Sequence, residues 1–338
     1  MNFKSPEVLY EHLKGKLRNI VPDVELYQKS KIAFDILKLK EEKQAMILGH
    51  NYMEPALYYS ICDFVGDSLE LARKAGMISA DIIVVCGVRF MAETAKLLNP
   101  SKTVLLPAKK AGCSLAESIT AQDVRDLKKK FPGIPVVTYV NTYADVKAES
   151  DICCTSSNAA RVVESLRQEC VIFLPDEFLA KNVARETGRK IIFPIKKPKA
   201  ATLQDSSLLQ YTIIGWHGRC EVHEKFTVED IERVREQFSD VVVLAHPECS
   251  PEVVEASDFS ASTSAMIQFV AQSKAPRYLL LTECSMGDNI AAENPDKEML
   301  RLCSVRCPHM NEITLEDTKE ALLNHQYVID IDPEIAKR

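Results

Sequence analysis

The chain has 338 residues, of which 46% are hydrophobic, and this is enough apolar material for two or three packed domains. Its formal net charge of −6 and its lack of a Lys/Arg stripe argue against a nucleic-acid partner, because such proteins normally carry a basic surface. Charged residues interrupt the stretch from Met1 to Leu17, and no apolar run approaches the roughly 20 residues of a membrane span. We therefore expect a cytoplasmic protein with neither a secretory signal nor a membrane anchor.

In chain order, a helical extension over residues 1–29 comes first. From about residue 30 onward, strand-like β-branched runs alternate with helical segments, which is typical of α/β folds with parallel sheets. A polar turn follows the first strand of each predicted unit, and an aspartate further on precedes a hydroxyl residue by five positions. The turns are His50–Tyr52, Tyr139–Asn141 and His246–Glu248, and the pairs are Asp63 with Ser68, Asp151 with Ser156 and Asp258 with Thr263.

Three cysteines, Cys113, Cys220 and Cys307, mark an internal repeat. A threonine follows each of them by seven residues and opens a helical segment, which the threonine side chain can cap. These threonines are Thr120, Thr227 and Thr314. A strand-like run follows each helix, at 136–139, at 241–244 and, near the chain end, at 327–330.

The repeat predicts three related α/β units, which could be arranged around a rough threefold axis. The second and third units are continuous, whereas the first is split by the chain path. The predicted units are 30–112 together with 308–338, then 113–219, then 220–307.

Ligands of open parallel sheets bind beyond the carboxyl ends of the strands. The repeated polar turns and the cysteines occupy such ends, so three units around one axis would direct Cys113, Cys220 and Cys307 to a common centre. Three thiolates suit a cubane iron–sulfur cluster in which the fourth iron stays open. An open iron is a Lewis acid that can bind a substrate oxygen.

The chain has eleven cysteines, and disulfides and compact metal motifs do not explain them. A reducing compartment disfavours disulfides, and the chain has neither a Cys-x-x-Cys pair nor a Cys-x3-Cys-x2-Cys run. For most of the other cysteines simple burial is sufficient. Cys303 is interpreted as a bystander of Cys307, and a thiol switch between the two is the alternative.

Four hydroxyl residues lie at predicted helix N-termini, where backbone N–H groups attract anions. These residues are Ser68, Ser156, Ser262 and Thr263. Ordinary N-capping would explain any one of them, but their repetition favours a site for carboxylates or phosphate. No glycine-rich nucleotide motif is present, so a nucleotide cofactor is not expected.

Several motifs together resemble the quinolinate synthase family over about residues 35–330. They are Gly49–Tyr52, Asp63–Ser68, Gly87–Glu93, Tyr139–Asn141, Cys154–Asn158, Gly218–His223 and His246–Cys249. The resemblance implies a transferase that condenses iminoaspartate with dihydroxyacetone phosphate to quinolinate for NAD biosynthesis, with loss of phosphate and two waters. It also implies three related αβα-sandwich (Rossmann-like) domains in a pseudo-threefold arrangement and one [4Fe–4S] cluster per chain on Cys113, Cys220 and Cys307. An aspartate-oxidising enzyme would be a transient partner that supplies iminoaspartate.

The same resemblance implies roles for individual residues. Tyr52 and Glu248 match an acid/base pair, and His50 and His223 match residues near the phosphate-bearing or hydroxyl-bearing end of the substrate, with His50 counted as catalytic. For His50, His223 and His246 the alternative is a structural histidine, whereas His217 and His309 are expected to be structural. Residues that match carboxylate or phosphate ligands are Ser68, Tyr139, Asn141, Ser156, Ser262 and Thr263, and His246 and Glu248 complete the predicted substrate site.

Two other functions are alternatives. A different cluster-dependent hydro-lyase acting on a hydroxy acid would need the same three thiols. A non-enzymatic iron or redox sensor would need a partner-binding surface or a DNA-binding helix, and the sequence indicates neither.

Overall fold

The computed structural model describes residues 3–194, 210–302 and 305–338. They form an α/β fold with three sheets, and every strand pair inside these sheets is parallel. The predicted fold class is therefore confirmed. Within this part of the chain no helix combines the length and the apolar character that crossing a bilayer requires.

The first sheet has the order β2-β1-β3-β4 and the third has the order β11-β10-β12-β13. The second sheet has the order β6-β5-β7-β9-β8, which repeats the same path and adds one edge strand. The strands are β1 (Ala45–His50), β2 (Phe64–Gly66), β3 (Ile82–Cys86), β4 (Thr103–Leu105), β5 (Val136–Tyr139), β6 (Ile152–Cys154), β7 (Cys170–Leu174), β8 (Lys190–Ile192), β9 (Thr212–Ile214), β10 (Val241–Ala245), β11 (Phe259–Ser260), β12 (Arg277–Leu281) and β13 (Glu298–Arg301).

Helices connect the parallel strands, and a 3₁₀ turn spans His223–Lys225. The helices are α1 (Pro6–Leu17), α2 (Asp23–Glu42), α3 (Pro55–Ser60), α4 (Ser68–Ala75), α5 (Arg89–Leu98), α6 (Ser114–Glu117), α7 (Ala121–Lys130), α8 (Ala144–Ala148), α9 (Ala159–Ser165), α10 (Glu177–Thr187), α11 (Val228–Gln237), α12 (Pro251–Ala256), α13 (Thr263–Gln272), α14 (Cys284–Glu293), α15 (Pro308–Asn311), α16 (Leu315–Asn324) and α17 (Pro333–Lys337).

The repeated aspartates have the same structural role in all three sheets. Each precedes the second strand, and its Oδ2 accepts the backbone N–H of a residue at or near the start of the first strand. The pairs are Asp63 with Ile47 at 2.8 Å, Asp151 with Val136 at 2.7 Å and Asp258 with Val243 at 2.8 Å. These bonds fix the register of the two strands that lead toward the site. The pseudo-threefold relation and the unit boundaries stay predictions.

The repeated threonines cap helices as predicted. Thr120 and Thr227 each form a reciprocal capping box with an aspartate three residues later, and Thr314 accepts the Asp317 N–H. Each predicted ligand cysteine precedes a single helical turn, because its carbonyl accepts an N–H four residues further on. The acceptors are Cys113, Cys220 and Cys307.

The predicted strand at 327–330 is wrong. Val328 forms only an isolated antiparallel bridge to Leu105 at the edge of β4. Tyr327 and Val328 are 41% and 52% exposed, and Ile329 is the only residue of this segment that is buried in the core. It closes the edge of the first sheet instead of entering it.

The N-terminal region is packed against the first sheet. Leu9, Leu13 and Leu17 of α1 are fully buried and belong to the same core cluster as β1 and β3. Lys16 forms an ion pair with Glu293 of α14 at 2.7 Å. Helix α2 runs through residue 30, where the predicted extension ends. The extension therefore contributes to the core.

Both faces of each sheet are covered by apolar side chains, as parallel sheets require. In the third sheet, Val243 and Leu279 pack into one cluster, whereas Leu244 and Leu280 pack into another. Only the carboxyl ends of the strands remain free for polar chemistry.

Candidate active site

The polar turns that follow β1, β5 and β10 meet at one cavity. Every residue that the sequence assigns to the site lines it, although the roles of these residues stay predictions. The predicted site residues along the cavity are His50, Tyr52, Ser68, Cys113, Tyr139, Asn141, Ser156, Cys220, His223, His246, Glu248, Ser262, Thr263 and Cys307.

Cys113, Cys220 and Cys307 are free thiols at the start of short helical turns. Burial raises the pKa of Cys113 to about 12 and the pKa of Cys307 to about 11, and it raises the pKa of Cys220 well above the usual value. Besides burial, the negative charge of Cys307 contributes to the raised pKa of Cys113, and that of Cys113 contributes to the raised pKa of Cys220, so the thiols lie near one another. Only a bound cation would make three thiolates stable together here. The donor set therefore fits a metal cluster.

The other described cysteines lie away from this cavity. Cys86, Cys154 and Cys249 are buried, as expected of small apolar side chains, whereas Cys153 is exposed. Cys303 lies outside the described residues. The choice of Cys113, Cys220 and Cys307 from the repeat thus agrees with their position in the structure.

Glu248 has three side-chain hydrogen-bond partners in the cavity and is 3% exposed. Its Oε1 accepts the Tyr139 hydroxyl at 2.5 Å and the Asn141 Nδ2–H at 3.1 Å, and its Oε2 lies 2.9 Å from His223 Nδ1. Burial alone would raise the pKa of Glu248, but His223 and these hydrogen bonds hold it well below its usual range. Glu248 is therefore a buried, ionised carboxylate.

His50 and His246 make the same local hydrogen bond in two different sheets. Each Nδ1 accepts the backbone N–H two residues later, from Tyr52 at 3.2 Å and from Glu248 at 3.3 Å. Nε2 is consequently the protonated nitrogen of each ring. Burial lowers the pKa of His50 to about 4 and that of His246 to about 3, so both rings are neutral near pH 7. The bond supports a structural role, and the position in the cavity supports a ligand role.

A chain of hydrogen-bonding groups runs from Tyr52 to Glu248. The Tyr52 hydroxyl lies 2.6 Å from Thr282 Oγ1, and Thr282 Oγ1 lies 3.1 Å from His223 Nε2. His223 Nδ1 then contacts Glu248. Burial and the charge of Glu248 raise the pKa of Tyr52 well above its usual value, so Tyr52 keeps its proton.

The predicted anion ligands Ser68, Ser156, Ser262 and Thr263 do not use their hydroxyls to cap the helices that follow them. Asp67 caps α4 in place of Ser68, and Ser262 makes no side-chain bond to its own helix α13. Helix α9 begins at Ala159, so Ser156 lies in the preceding turn and not at the helix start that we predicted. Thr263 Oγ1 accepts a hydrogen bond from Asn51 Nδ2 at 2.9 Å.

Asp176 is a buried site residue that sequence reasoning missed. It is fully buried after β7, where Oδ1 accepts the Leu179 N–H at 2.8 Å and caps α10. Burial and the nearby charge of Glu248 raise the pKa of Asp176 well above its usual value, and Oδ2 has no hydrogen-bond partner in the described chain. The proton of this carboxyl pair therefore resides on Asp176.

Lys147 holds the turn that carries Asn141. Its Nζ donates to the carbonyl of Val140 at 2.9 Å and to the carbonyl of Thr142. Burial lowers the pKa of Lys147 to about 8. Two flanking carbonyls are thus fixed by one side chain, which leaves Asn141 little freedom to move away from Glu248.

A simple signal would have found some of the missed residues. Asp176 and Thr282 follow the carboxyl ends of β7 and β12, as the predicted turns follow β1, β5 and β10. The strand-end rule therefore applies to β7 and β12 as well. His217 bonds to Glu177 at 3.1 Å as a structural residue, whereas His309, also predicted to be structural, lines the cavity.

Known proteins resemble this chain over almost its full length. The family model described as NadA, Quinolinate synthetase A protein, matches residues 34–338. Quinolinate synthase 2 of Mesorhizobium japonicum is 51% identical over 326 residues, which cover 96% of this chain and 94% of the relative. Quinolinate synthase of Agrobacterium fabrum is 50% identical, with coverage of 96% and 87%. Quinolinate synthase of Xylella fastidiosa is 51% identical, with coverage of 91% and 85%.

The residues matched by the family model include all three sheets and every residue of the cavity described above. They agree with the resemblance that the motifs predicted. The chain belongs to the quinolinate synthase family.

Proposed function

We propose that this chain condenses iminoaspartate with dihydroxyacetone phosphate to form quinolinate, with release of phosphate and two waters. The reaction belongs to the transferase class and serves NAD biosynthesis in the cytoplasm. The observation that carries the proposal is a single cavity lined by all fourteen predicted site residues. Its neutral histidines and hydroxyls suit a small, polar, anionic reactant, and its buried carboxylate supplies a base.

We assign one [4Fe–4S] cluster per chain to Cys113, Cys220 and Cys307. The support is the chemistry of the donors, since three free thiols line one cavity and have strongly raised pKa values without a cation. When bound, a cluster with three protein ligands supplies an open iron that acts as a Lewis acid toward a substrate oxygen.

Glu248 is the proposed general base. It is ionised, and its Oε1 is fixed by Tyr139 and Asn141, so the carboxylate meets the reactant in one orientation. A base of this kind accepts a proton from a carbon or nitrogen of the joined substrates. The protonated Asp176 nearby adds no second negative charge.

Tyr52 is the proposed general acid. It keeps its proton at neutral pH and bonds to Thr282, which in turn contacts His223. The tyrosine can donate this proton to a departing hydroxyl group. Thr282 and His223 lie between the acid and the base and hold both in place.

Neutral donors are the proposed ligands of the substrate carboxylates and phosphate. His50 and His246 present Nε2–H groups, and Ser68, Ser156 and Ser262 present hydroxyls. Hydrogen-bond donors next to helix N-termini stabilise anions without a formal positive charge. The small-molecule partners are the two substrates, and an aspartate-oxidising enzyme is the proposed source of iminoaspartate.

The proposal is tested with protein purified and reconstituted without oxygen. Iminoaspartate and dihydroxyacetone phosphate are supplied together, and quinolinate is measured by liquid chromatography with a quinolinate standard. We expect quinolinate and phosphate in equal amounts. The same gene should also restore growth of a quinolinate-requiring bacterial strain. A fully cluster-loaded protein that makes no quinolinate, or that dehydrates a hydroxy acid instead, would contradict the proposal.

The cluster ligands have a separate test. Cys113→Ser, Cys220→Ser and Cys307→Ser should each lose most of the iron, the sulfide and the brown colour. Cys153→Ser is the matched control, because Cys153 is exposed and lies away from the cavity. Full iron content in any of the first three variants would remove that cysteine from the ligand set.

A further inference from the structure

Three different donor atoms lie together at one wall of the cavity. Cys220 Sγ is 3.2 Å from His223 Nδ1, and His223 Nδ1 is 2.9 Å from Glu248 Oε2. All three residues place a ligand atom within 4.8 Å of the others. In residues 3–194, 210–302 and 305–338 no other group of Cys, His, Asp and Glu side chains meets this condition.

The spacing is close to that around a tetrahedral metal ion. Bonds of about 2.3 Å to sulfur and about 2.1 Å to nitrogen or oxygen place donor atoms roughly 3.4–3.6 Å apart. Widening of the two contacts by a few tenths of an ångström would therefore admit an ion. A thiolate and an imidazole favour zinc and similar transition metals over magnesium or calcium.

The surroundings of the three donors also match a metal site. Thr282 Oγ1 lies 3.1 Å from His223 Nε2, so it can accept the Nε2–H bond when Nδ1 binds a metal. Tyr139 and Asn141 both bond to Oε1 of Glu248, which leaves Oε2 for an ion. The thiolate and the carboxylate together balance the two charges of a divalent cation, so the buried ion is neutralised.

We propose that the protein without its cluster binds one divalent transition-metal ion of the zinc type between Cys220 Sγ, His223 Nδ1 and Glu248 Oε2. The ion and the cluster exclude each other, because both use Cys220. This exclusion rests on the proposed function, where Cys220 is a cluster ligand, whereas the ion site itself does not. Zinc would then delay or block assembly of the cluster.

The test uses the full chain, freed of metal by a chelator under anaerobic conditions and titrated with Co²⁺. We expect one Co²⁺ per chain, a thiolate-to-cobalt charge-transfer band and the intense visible bands of a tetrahedral site. One equivalent of Zn²⁺ should remove these bands, because zinc binds such sites more tightly. Cluster-loaded protein should give no cobalt spectrum.

Variants separate this site from the three-cysteine set. Cys220→Ser should abolish the charge-transfer band, and His223→Gln should abolish tetrahedral binding. Cys113→Ser and Cys307→Ser should keep the cobalt spectrum while losing the cluster. Thr282→Val should weaken Co²⁺ binding roughly 10–100-fold, and Thr282→Ser should restore it. Fluorescence of the single tryptophan, the buried Trp216, reports whether each variant is folded.

Several results would overturn the proposal. They are a charge-transfer band that persists in Cys220→Ser, a band that disappears in folded Cys113→Ser or Cys307→Ser, and absence of Co²⁺ binding in the folded metal-free protein. If Cys220→Ser does not fold, a tetrahedral cobalt spectrum in folded His223→Gln would also overturn the proposal. A failure of quinolinate synthesis leaves these cobalt results unchanged, so the two proposals fail separately.

Discussion

The Tyr139 hydroxyl donates to Glu248 Oε1 at 2.5 Å, although the two residues are 109 positions apart and belong to different sheets. Tyr139 ends β5, and Glu248 follows β10. The bond joins the second sheet to the third at the cavity. It also adds a neutral donor to the interactions with His223, and together these lower the pKa of Glu248 and keep the buried carboxylate ionised.

Removal of the Glu248 charge should abolish most of the activity. Glu248→Gln keeps the size of the side chain but cannot accept a proton, so kcat should fall about 10²–10⁴-fold, as for loss of a general base. Quinolinate formation by cluster-loaded protein gives the measurement. Glu255→Gln is the control, because this nearby carboxylate is 79% exposed and should leave kcat unchanged. Activity of Glu248→Gln close to wild type would rule out the base.

Tyr52→Phe tests the general acid. The variant removes the hydroxyl that lies 2.6 Å from Thr282 and keeps the ring, so kcat should fall about 10²–10⁴-fold while the fold is preserved. Steady-state rates with both substrates check this. Tyr58→Phe, at a neighbouring tyrosine of α3 that does not line the cavity, should behave like wild type. An equal loss in both variants would point to packing and not to proton donation.

Asp176 should give the unfolding free energy a specific pH dependence. The pKa of Asp176 is raised in the folded protein by burial and by Glu248, so above its ordinary pKa the unfolded chain loses this proton and the folded chain keeps it. This group therefore costs stability as the pH rises. Asp176→Asn is neutral in both states and still caps α10, so it should gain stability relative to wild type from about pH 5 to about pH 7.

Urea unfolding at several pH values measures this effect. Asp176→Ala serves as a comparison, because loss of the cap bond to Leu179 should cost roughly 0.5–2 kcal/mol relative to Asp176→Asn. A difference between Asp176→Asn and wild type that does not change with pH would show that Asp176 is ionised in the folded protein.

The first helix should behave as part of the core. Leu13 is fully buried in α1, so Leu13→Ala should lower the free energy of unfolding by about 2–5 kcal/mol. Val8 on the same helix is 50% exposed, and Val8→Ala should change the free energy of unfolding by no more than about 0.5 kcal/mol. Chemical denaturation compares the two. A small effect of Leu13→Ala would mean that α1 is only loosely attached.

Local signals predicted the parts of the fold that depend on neighbouring residues. Thr120, Thr227 and Thr314 cap helices because each hydroxyl bonds to a backbone N–H within one turn, and such contacts are visible in sequence. The strand predicted at 327–330 is wrong because its pairing depends on residues that are distant in sequence. Its apolar pattern indicates a strand, but whether it enters a sheet depends on the edge of β4, which is distant in sequence.

The site also contains residues that the sequence predicts and residues that it does not. The repeat brought out the three cysteines and the turns after β1, β5 and β10, because similar residues recur at similar offsets. Thr282 and Asp176 do not recur at the offsets of this repeat; Thr282 acts through its contacts with Tyr52 and His223, and Asp176 through the nearby charge of Glu248. Packing of the sheets determines those contacts, so a single sequence does not show them.

The order of Cys113, Cys220 and Cys307 along the chain has a consequence for how the site forms during synthesis. Cys307 follows β13, the last strand, whereas Cys113 and Cys220 are translated much earlier. Translation adds about 5–20 residues per second, and domains fold as they emerge. The nascent chain therefore displays Cys220, His223 and Glu248 for seconds before the third cysteine exists. On the two proposals above, a zinc ion that binds in this interval meets no competing cluster, and a cluster assembled later on Cys113, Cys220 and Cys307 would have to displace it.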